Sequence, residues 1–190
     1  GARRLVLVGH NGVGKSRLTW ELEKYLDGLP DAYHWRKGRC LAYAQASFSA
    51  LADAIKSDAR VLDDDAPATA SAKLDIRLAE LGAADDAPLG QAVRTLLAIG
   101  PATGIAREDL FDAWRRYLGL VARRDPLVLV QEDIHWADEG LLDFLESLAR
   151  WGEGPILILC LARHELLERR PSWAGGIPNA ASIVLEPLGA

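Results

Sequence analysis

Residues Gly9–Ser16 read GHNGVGKS, between the apolar run Leu5-Val6-Leu7-Val8 and the stretch Arg17-Leu18-Thr19-Trp20-Glu21-Leu22, whose apolar residues recur at helical spacing. The octet matches G-x-x-x-x-G-K-[ST], the loop that wraps an anion between a strand and a helix. Each residue type has a physical task there. Gly9, Gly12 and Gly14 allow the backbone to close around phosphate oxygens. The amides of His10, Asn11, Val13 and Arg17 complete the cradle at a helix N-terminus, whose unpaired N–H groups carry partial positive charge. Lys15 adds a full charge near the terminal phosphates, and the Ser16 hydroxyl is a ligand for magnesium. The expected ligands are therefore ATP or ADP with Mg2+.

Composition narrows the class. The chain has 190 residues, of which 49% are hydrophobic and 26% charged, enough for one globular domain with a sizeable core. The domain is expected to span 1–190. Its 22 basic and 27 acidic residues give a net charge of −5, and the basic residues are dispersed. That pattern carries no electrostatic footprint for DNA or RNA, so no direct nucleic-acid partner is expected. Cys40 and Cys160 stand in apolar stretches that read as strands, which suits buried reduced thiols and a cytoplasmic location. The longest apolar runs, 127–130 and 156–162, are far shorter than a bilayer requires, and no membrane association is expected. The chain lacks an initiator methionine and ends just past a strand-like segment, so it is expected to be excised from a longer multidomain protein.

Strand-like segments at roughly 3–8, 39–43, 127–132, 156–162 and 182–185 alternate with helical patterns. This alternation predicts an α/β three-layer sandwich with a parallel five-stranded sheet. A helical insertion is expected between the second and third strands, where Leu51, Ile55, Leu74, Leu78, Leu81, Val93, Leu96, Leu97, Leu110, Trp114, Leu118 and Val121 recur at helical spacings. The acidic stretch 63–70 reads as a solvated loop, and 100–104 as a break before a helix over 108–123.

A second motif completes the chemistry. PLVLVQEDIHWAD at 126–138 is an apolar strand ending in adjacent acids, then a short turn and another helix. In phosphate-loop ATPases the first acid holds the magnesium shell and the second orients the attacking water. Glu132 is assigned the first role, reaching magnesium through water, and Asp133 the second. Asp138 is expected to cap the helix 139–151 and Trp136 to be core; His135, in the turn just beyond the acids, stands close to where the γ-phosphate should lie, yet is expected to be solvated or structurally bonded as turn histidines usually are. Gln131 is polar where the strand would be apolar. At the carboxyl end of the run 156–162 stands Arg163, where a doubly wound sheet binds its ligand. It could report the γ-phosphate through charge-assisted hydrogen bonds, or be a surface arginine at a turn. Arg169 and Arg170 are further candidates for transition-state charge, or solvated residues.

Beyond GHNGVGKS, the segments GRCLAY at 38–43, FDAWRRYL at 111–118, PLVLVQEDIHWAD, LARHELLERRPSW at 161–173 and LEPL at 185–188 make the chain resemble the AAA+-related STAND ATPases. Within that group it resembles the modules of bacterial adenylate or guanylate cyclase-type proteins and large LuxR-type regulators. The resemblance implies a P-loop NTPase sheet of order 5-1-4-3-2 and ATP in the phosphate loop, with Arg163 as the nucleotide sensor. It also implies a switch that couples nucleotide state and assembly, including homo-oligomers, to an output domain. Here the acids run Glu then Asp, where many vigorous ATPases have Asp then Glu, so slow hydrolysis is expected. The flanking segments that embrace the adenine in such proteins have no counterpart in these 190 residues. A small-molecule kinase on the same loop and a scaffold that binds ATP only for stability are the competing readings. A kinase needs an acceptor pocket and a lid, whereas paired acids facing a water suit hydrolysis.

Overall fold

Leu127, Leu129 and Ile156, Ile158 point to one side of two adjacent strands and Val128, Val130 and Leu159, Leu161 to the other, so the centre of the sheet is apolar on both faces. The computed structural model, which describes residues 1–43, 47–101, 103–174 and 178–187, arranges five parallel strands. They are β1 (Arg3–Val8), β2 (His34–Arg39), β3 (Leu127–Glu132), β4 (Ile156–Ala162) and β5 (Ala180–Val184), in the order β2-β3-β4-β1-β5. Read from the other edge this is 5-1-4-3-2. Strands β1, β3 and β4 occupy the expected segments.

Strand β2 does not. It lies at His34–Arg39 rather than 39–43, and Leu41 and Tyr43 are exposed residues of the following turn. An edge strand is not obliged to be apolar, and in HWRKGR His34, Trp35 and Arg36 are half-buried while Lys37 and Arg39 are exposed on either side of the buried Gly38. Trp35 packs on the Val128–Leu159 side, while Arg36 reaches a buried carboxylate. The apolar run that reads as a strand is therefore one turn too late. Cys40 accordingly follows β2 instead of lying in a strand, yet it is buried, its N–H donating to the Glu132 carbonyl at 2.9 Å. Cys160 lies within β4, and burial pushes both thiols up to about 12, keeping them protonated. Strand β5 begins two residues before the expected 182, at Ala180.

Helix α1 (Lys15–Asp27) crosses one face, where Leu22 and Leu26 cover Leu7, Val128, Val130, Leu159 and Leu161. Between β2 and β3 run α2 (Ser49–Ala59), α3 (Pro67–Glu80), α4 (Ala87–Leu96) and α5 (Arg107–Ala122), the expected insertion. The stretch 63–70 is a loop only as far as Ala66, because Pro67 opens α3 at the position where its missing N–H costs nothing. Asp65 is not free there: it accepts from the Leu62 N–H and from Lys73. Of the break at 100–104, Ala102 lies outside the described residues, as does Leu188 of 185–188. The other face is completed by α6 (Glu139–Trp151) and the short α7 (Glu165–Arg169), with Trp114, Phe144 and Phe48 in edge-on aromatic contact between α2, α5 and α6.

Two polar groups hold this packing together. Asp58 of α2 accepts from Arg36, from Arg77 of α3 at 2.8 Å and from the Tyr117 hydroxyl of α5 at 2.8 Å. Burial alone would raise its pKa, but the two guanidinium groups and the phenol hold the carboxyl below its usual range. Gln131 is wholly buried opposite Gly38 of β2, where a side chain would run into the Ala50 carbonyl of α2. Its amide donates towards that carbonyl at 3.4 Å and to Val130 O at 3.1 Å. The polar residue in an apolar strand thus marks the place where a helix sits directly on the sheet. No helix among the described residues is long and apolar enough to cross a membrane.

Candidate functional site

Strand β1 ends at Val8, and the next residues leave the carboxyl end of the sheet between its two neighbours. The Gly9 N–H donates to Ala162 O of β4 at 3.2 Å, and the Leu185 N–H beyond β5 donates to Val8 O at 2.7 Å. Gly12 and Gly14 then take φ values of 78° and 103°, the left-handed region that a side chain resists. No atom lies within 4 Å of where a Cβ on either would stand, so the loop opens to solvent at both. Gly14 caps α1, and Ser16 is exposed in its first turn. His10 and Asn11 are exposed on the loop's outer side and Val13 is half-buried. Arg17 lies outside on the helix, 3.7 Å from Glu21.

Lys15 is the buried member of the loop. Its ammonium donates to the carbonyls of Gly9 at 2.7 Å and His10 at 2.8 Å, folding back over the loop. Burial lowers its pKa; Asp133 opposes this, Arg163 adds to it, and Glu165 opposes it. Those partners come from the end of β3, the end of β4 and the start of α7. The predicted second acid and the predicted sensor arginine are thereby brought into the field of the phosphate-loop lysine, although they lie 118 and 148 residues further along the chain.

The adjacent acids each meet a cation. Glu132, the last residue of β3, meets Lys37 at 2.9 Å. Asp133 turns into the left-handed region at φ 54° and meets Arg39 at 2.8 Å. Both acids therefore end on cations of the edge strand β2, with Asp133 the one whose charge acts on Lys15. Asp138 caps α6 as expected, accepting from the Leu141 N–H at 3.0 Å.

Three readings of the turn after the acids need correcting. Trp136 is 48% exposed instead of core, because the 3₁₀ turn Ile134–Trp136 directs Ile134 and His135 inward in its place. His135 is neither solvated nor structurally bonded through its ring among the described residues: it is 6% exposed, and neither ring nitrogen has a hydrogen-bond partner among them. Burial and the Arg163 charge lower its pKa, so the ring is neutral near pH 7. Arg169 and Arg170 are structural. Arg169 donates to His135 O, Ala137 O and Glu139, and Arg170 holds Glu139 and Asp143, locking the turn to α6 and α7.

Arg163 leaves β4 half-buried, with its Nε buried and without a partner among the described residues. The following His164 lays its ring against that of His10, the centroids 5.0 Å apart. This arrangement suits a polyphosphate with magnesium. The loop has open glycines, the lysine's bonds to carbonyls can be exchanged for phosphate oxygens, and buried donors on Arg163 and His135 lack acceptors among the described residues. Sequence reasoning missed two residues here. Arg39 carried no signal, since its role depends on which strand neighbours β3, and His135 was discounted as a turn residue.

No curated protein matches the chain. Among solved structures it is similar to Cdc6p from Pyrobaculum aerophilum, at 16% identity and a TM-score of 0.49, covering 98% of this chain and 40% of that one. It therefore spans well under half the length of that protein. The family model described as AAA ATPase domain matches residues 1–159, which include the phosphate loop, both acids and most of β4. On that match the chain belongs to the AAA ATPase domain family.

Proposed function

We propose that this domain is a regulatory switch that binds ATP with magnesium, hydrolyses it slowly and transmits the nucleotide state to an output domain of a larger bacterial signalling protein. The observation that carries this reading is the convergence of Lys15, Asp133 and Arg163 at the carboxyl end of the sheet. Family membership supports the nucleotide. The motifs shared with STAND modules support the regulatory role, in a cyclase-type or LuxR-type parent. ATP, ADP, the other domains of that parent and further copies of the chain are the partners this reading requires.

The residues divide the work by their chemistry. Loop amides and Lys15 hold the β- and γ-phosphates, and Arg163 recognises the γ-phosphate. The Ser16 hydroxyl and the Glu132 carboxylate are the groups that would hold magnesium, which when bound neutralises charge on the phosphoryl oxygens. Asp133 orients the attacking water and accepts its proton. Two features slow that step. The aspartate side chain is one methylene shorter than glutamate, and its carboxylate is held by Arg39 at 2.8 Å. It must leave that partner to serve a water, and slow hydrolysis suits a switch better than a motor.

The test is Asp133→Asn. The variant is expected to bind ATP as the parent does and to release phosphate at least tenfold more slowly. Equal phosphate release by both proteins overturns the assignment of Asp133.

A further inference from the structure

His135 is a buried polar side chain whose hydrogen bonds are not accounted for. A histidine 6% exposed has lost its water, and both ring nitrogens stand without a partner among the described residues. Such burial is costly unless a ligand satisfies it. Its backbone is held in place: Arg169 donates to its carbonyl at 2.9 Å, and the turn closes through Trp136 N to Asp133 O at 2.9 Å and Ala137 N to Ile134 O at 3.0 Å. The backbone that carries the ring is thus held at three points, unlike that of a mobile surface histidine.

The charges that act on this ring are Arg163, Asp133, Glu165 and Lys15. They come from the end of β4, the end of β3, the start of α7 and the phosphate loop, and so they surround the place that the terminal phosphate is assigned above. The Arg163 Nε is a second buried donor without an acceptor in the same region. Two orphaned groups beside a lysine ask for an anion with several acceptor oxygens.

We propose that His135 donates a hydrogen bond to the terminal phosphate of ATP and, together with Arg163, distinguishes ATP from ADP. The inference rests on the assignment of the phosphate loop to ATP and adds a contact to it. One ring nitrogen donates its N–H to the phosphate, and in the neutral form that burial and Arg163 favour the other is an acceptor, available to the Arg163 Nε–H or to a water. An imidazole in this position reads the γ-phosphate without adding a permanent charge beside Lys15 and Arg163.

The test compares magnesium-ATP and magnesium-ADP binding by calorimetry in the whole chain, with His135→Ala, His135→Asn and Lys15→Ala. His135→Ala is expected to weaken ATP about tenfold or more while ADP changes by less than about twofold, as for a lost charge-assisted hydrogen bond. His135→Asn, which keeps an N–H donor, is expected to recover part of the loss. In the unsubstituted chain, ¹⁵N spectra of the imidazoles are expected to show His135 shifting with a non-hydrolysable ATP analogue and staying in place with ADP. An ATP-to-ADP ratio unchanged in both variants overturns the proposal, as does equal weakening of the two nucleotides, which would make the histidine structural. ADP affinity reports whether each variant has folded, and if His135→Ala does not fold, His135→Asn and the spectra decide. Absence of nucleotide binding in both the unsubstituted chain and Lys15→Ala instead overturns the ATP assignment itself.

Discussion

Arg39 illustrates how a single side chain sets the rate assigned to this site. Its ion pair with Asp133 is partly exposed, and such pairs contribute about 0.2–1 kcal/mol. Releasing the carboxylate by Arg39→Ala is therefore expected to raise phosphate release roughly two- to fivefold without changing ATP affinity, as checked by steady-state assay beside calorimetry. Lys15→Ala is expected to weaken ATP at least tenfold, because on the proposed reading it removes the buried charge that would meet the phosphates in place of the Gly9 carbonyl. The phosphate loop and the paired acids were legible in the sequence because their chemistry demands particular residue types at short spacings. Arg39 and His135 were not, since one depends on a strand pairing and the other on which way a turn projects its residues. Trp136 was misjudged for the same reason: an aromatic residue in a three-residue turn has no periodicity from which to read its direction.

At the scale of elements, the sheet centre was readable and its edge was not. Strands β1, β3 and β4 bury both faces over most of their length, so each carries a continuous apolar stretch, at 5–8, 127–130 and 156–162. Strand β2 needs only one apolar side, and the adjacent Leu41-Ala42-Tyr43 run imitated a strand that the chain does not form. Gly38 shows what positions β2. Its missing side chain lets α2 approach through the Ala50 carbonyl, and the Gln131 amide reaches across the same spot. Gly38→Ala is expected to destabilise the protein by about 1–3 kcal/mol, since the obstructing atom is backbone and cannot swing aside. Urea unfolding checks this, and Gly104→Ala, where the added methyl meets no atom within 4 Å, is the matched control.

For the molecule as a whole, the insertion between β2 and β3 is anchored at Asp58, which joins β2, α2, α3 and α5 through Arg36, Arg77 and Tyr117. Its side chain is 2% exposed, and removing it strands two partly buried cations, so Asp58→Ala is expected to cost about 3–5 kcal/mol in urea unfolding. Because the folded pKa is depressed, the carboxylate's contribution is fully present above the ordinary aspartate value and is lost as pH falls through the folded one. Stability is expected to fall as pH drops below about 4, and Asp58→Asn to flatten that dependence. The network was invisible in the sequence because its members lie on four separate elements, each charged residue reading alone as surface. The helical insertion was visible because its apolar stripes recur at the period of a helix. The central claim, a nucleotide switch with slow turnover, is tested most directly by titrating magnesium-ATP and magnesium-ADP into the chain and measuring phosphate release from the same sample. Saturable binding of both nucleotides with turnover well below about 1 per second is the predicted result. Failure of the folded chain to bind either nucleotide, or turnover at the several-per-second rates typical of enzymes, would contradict it.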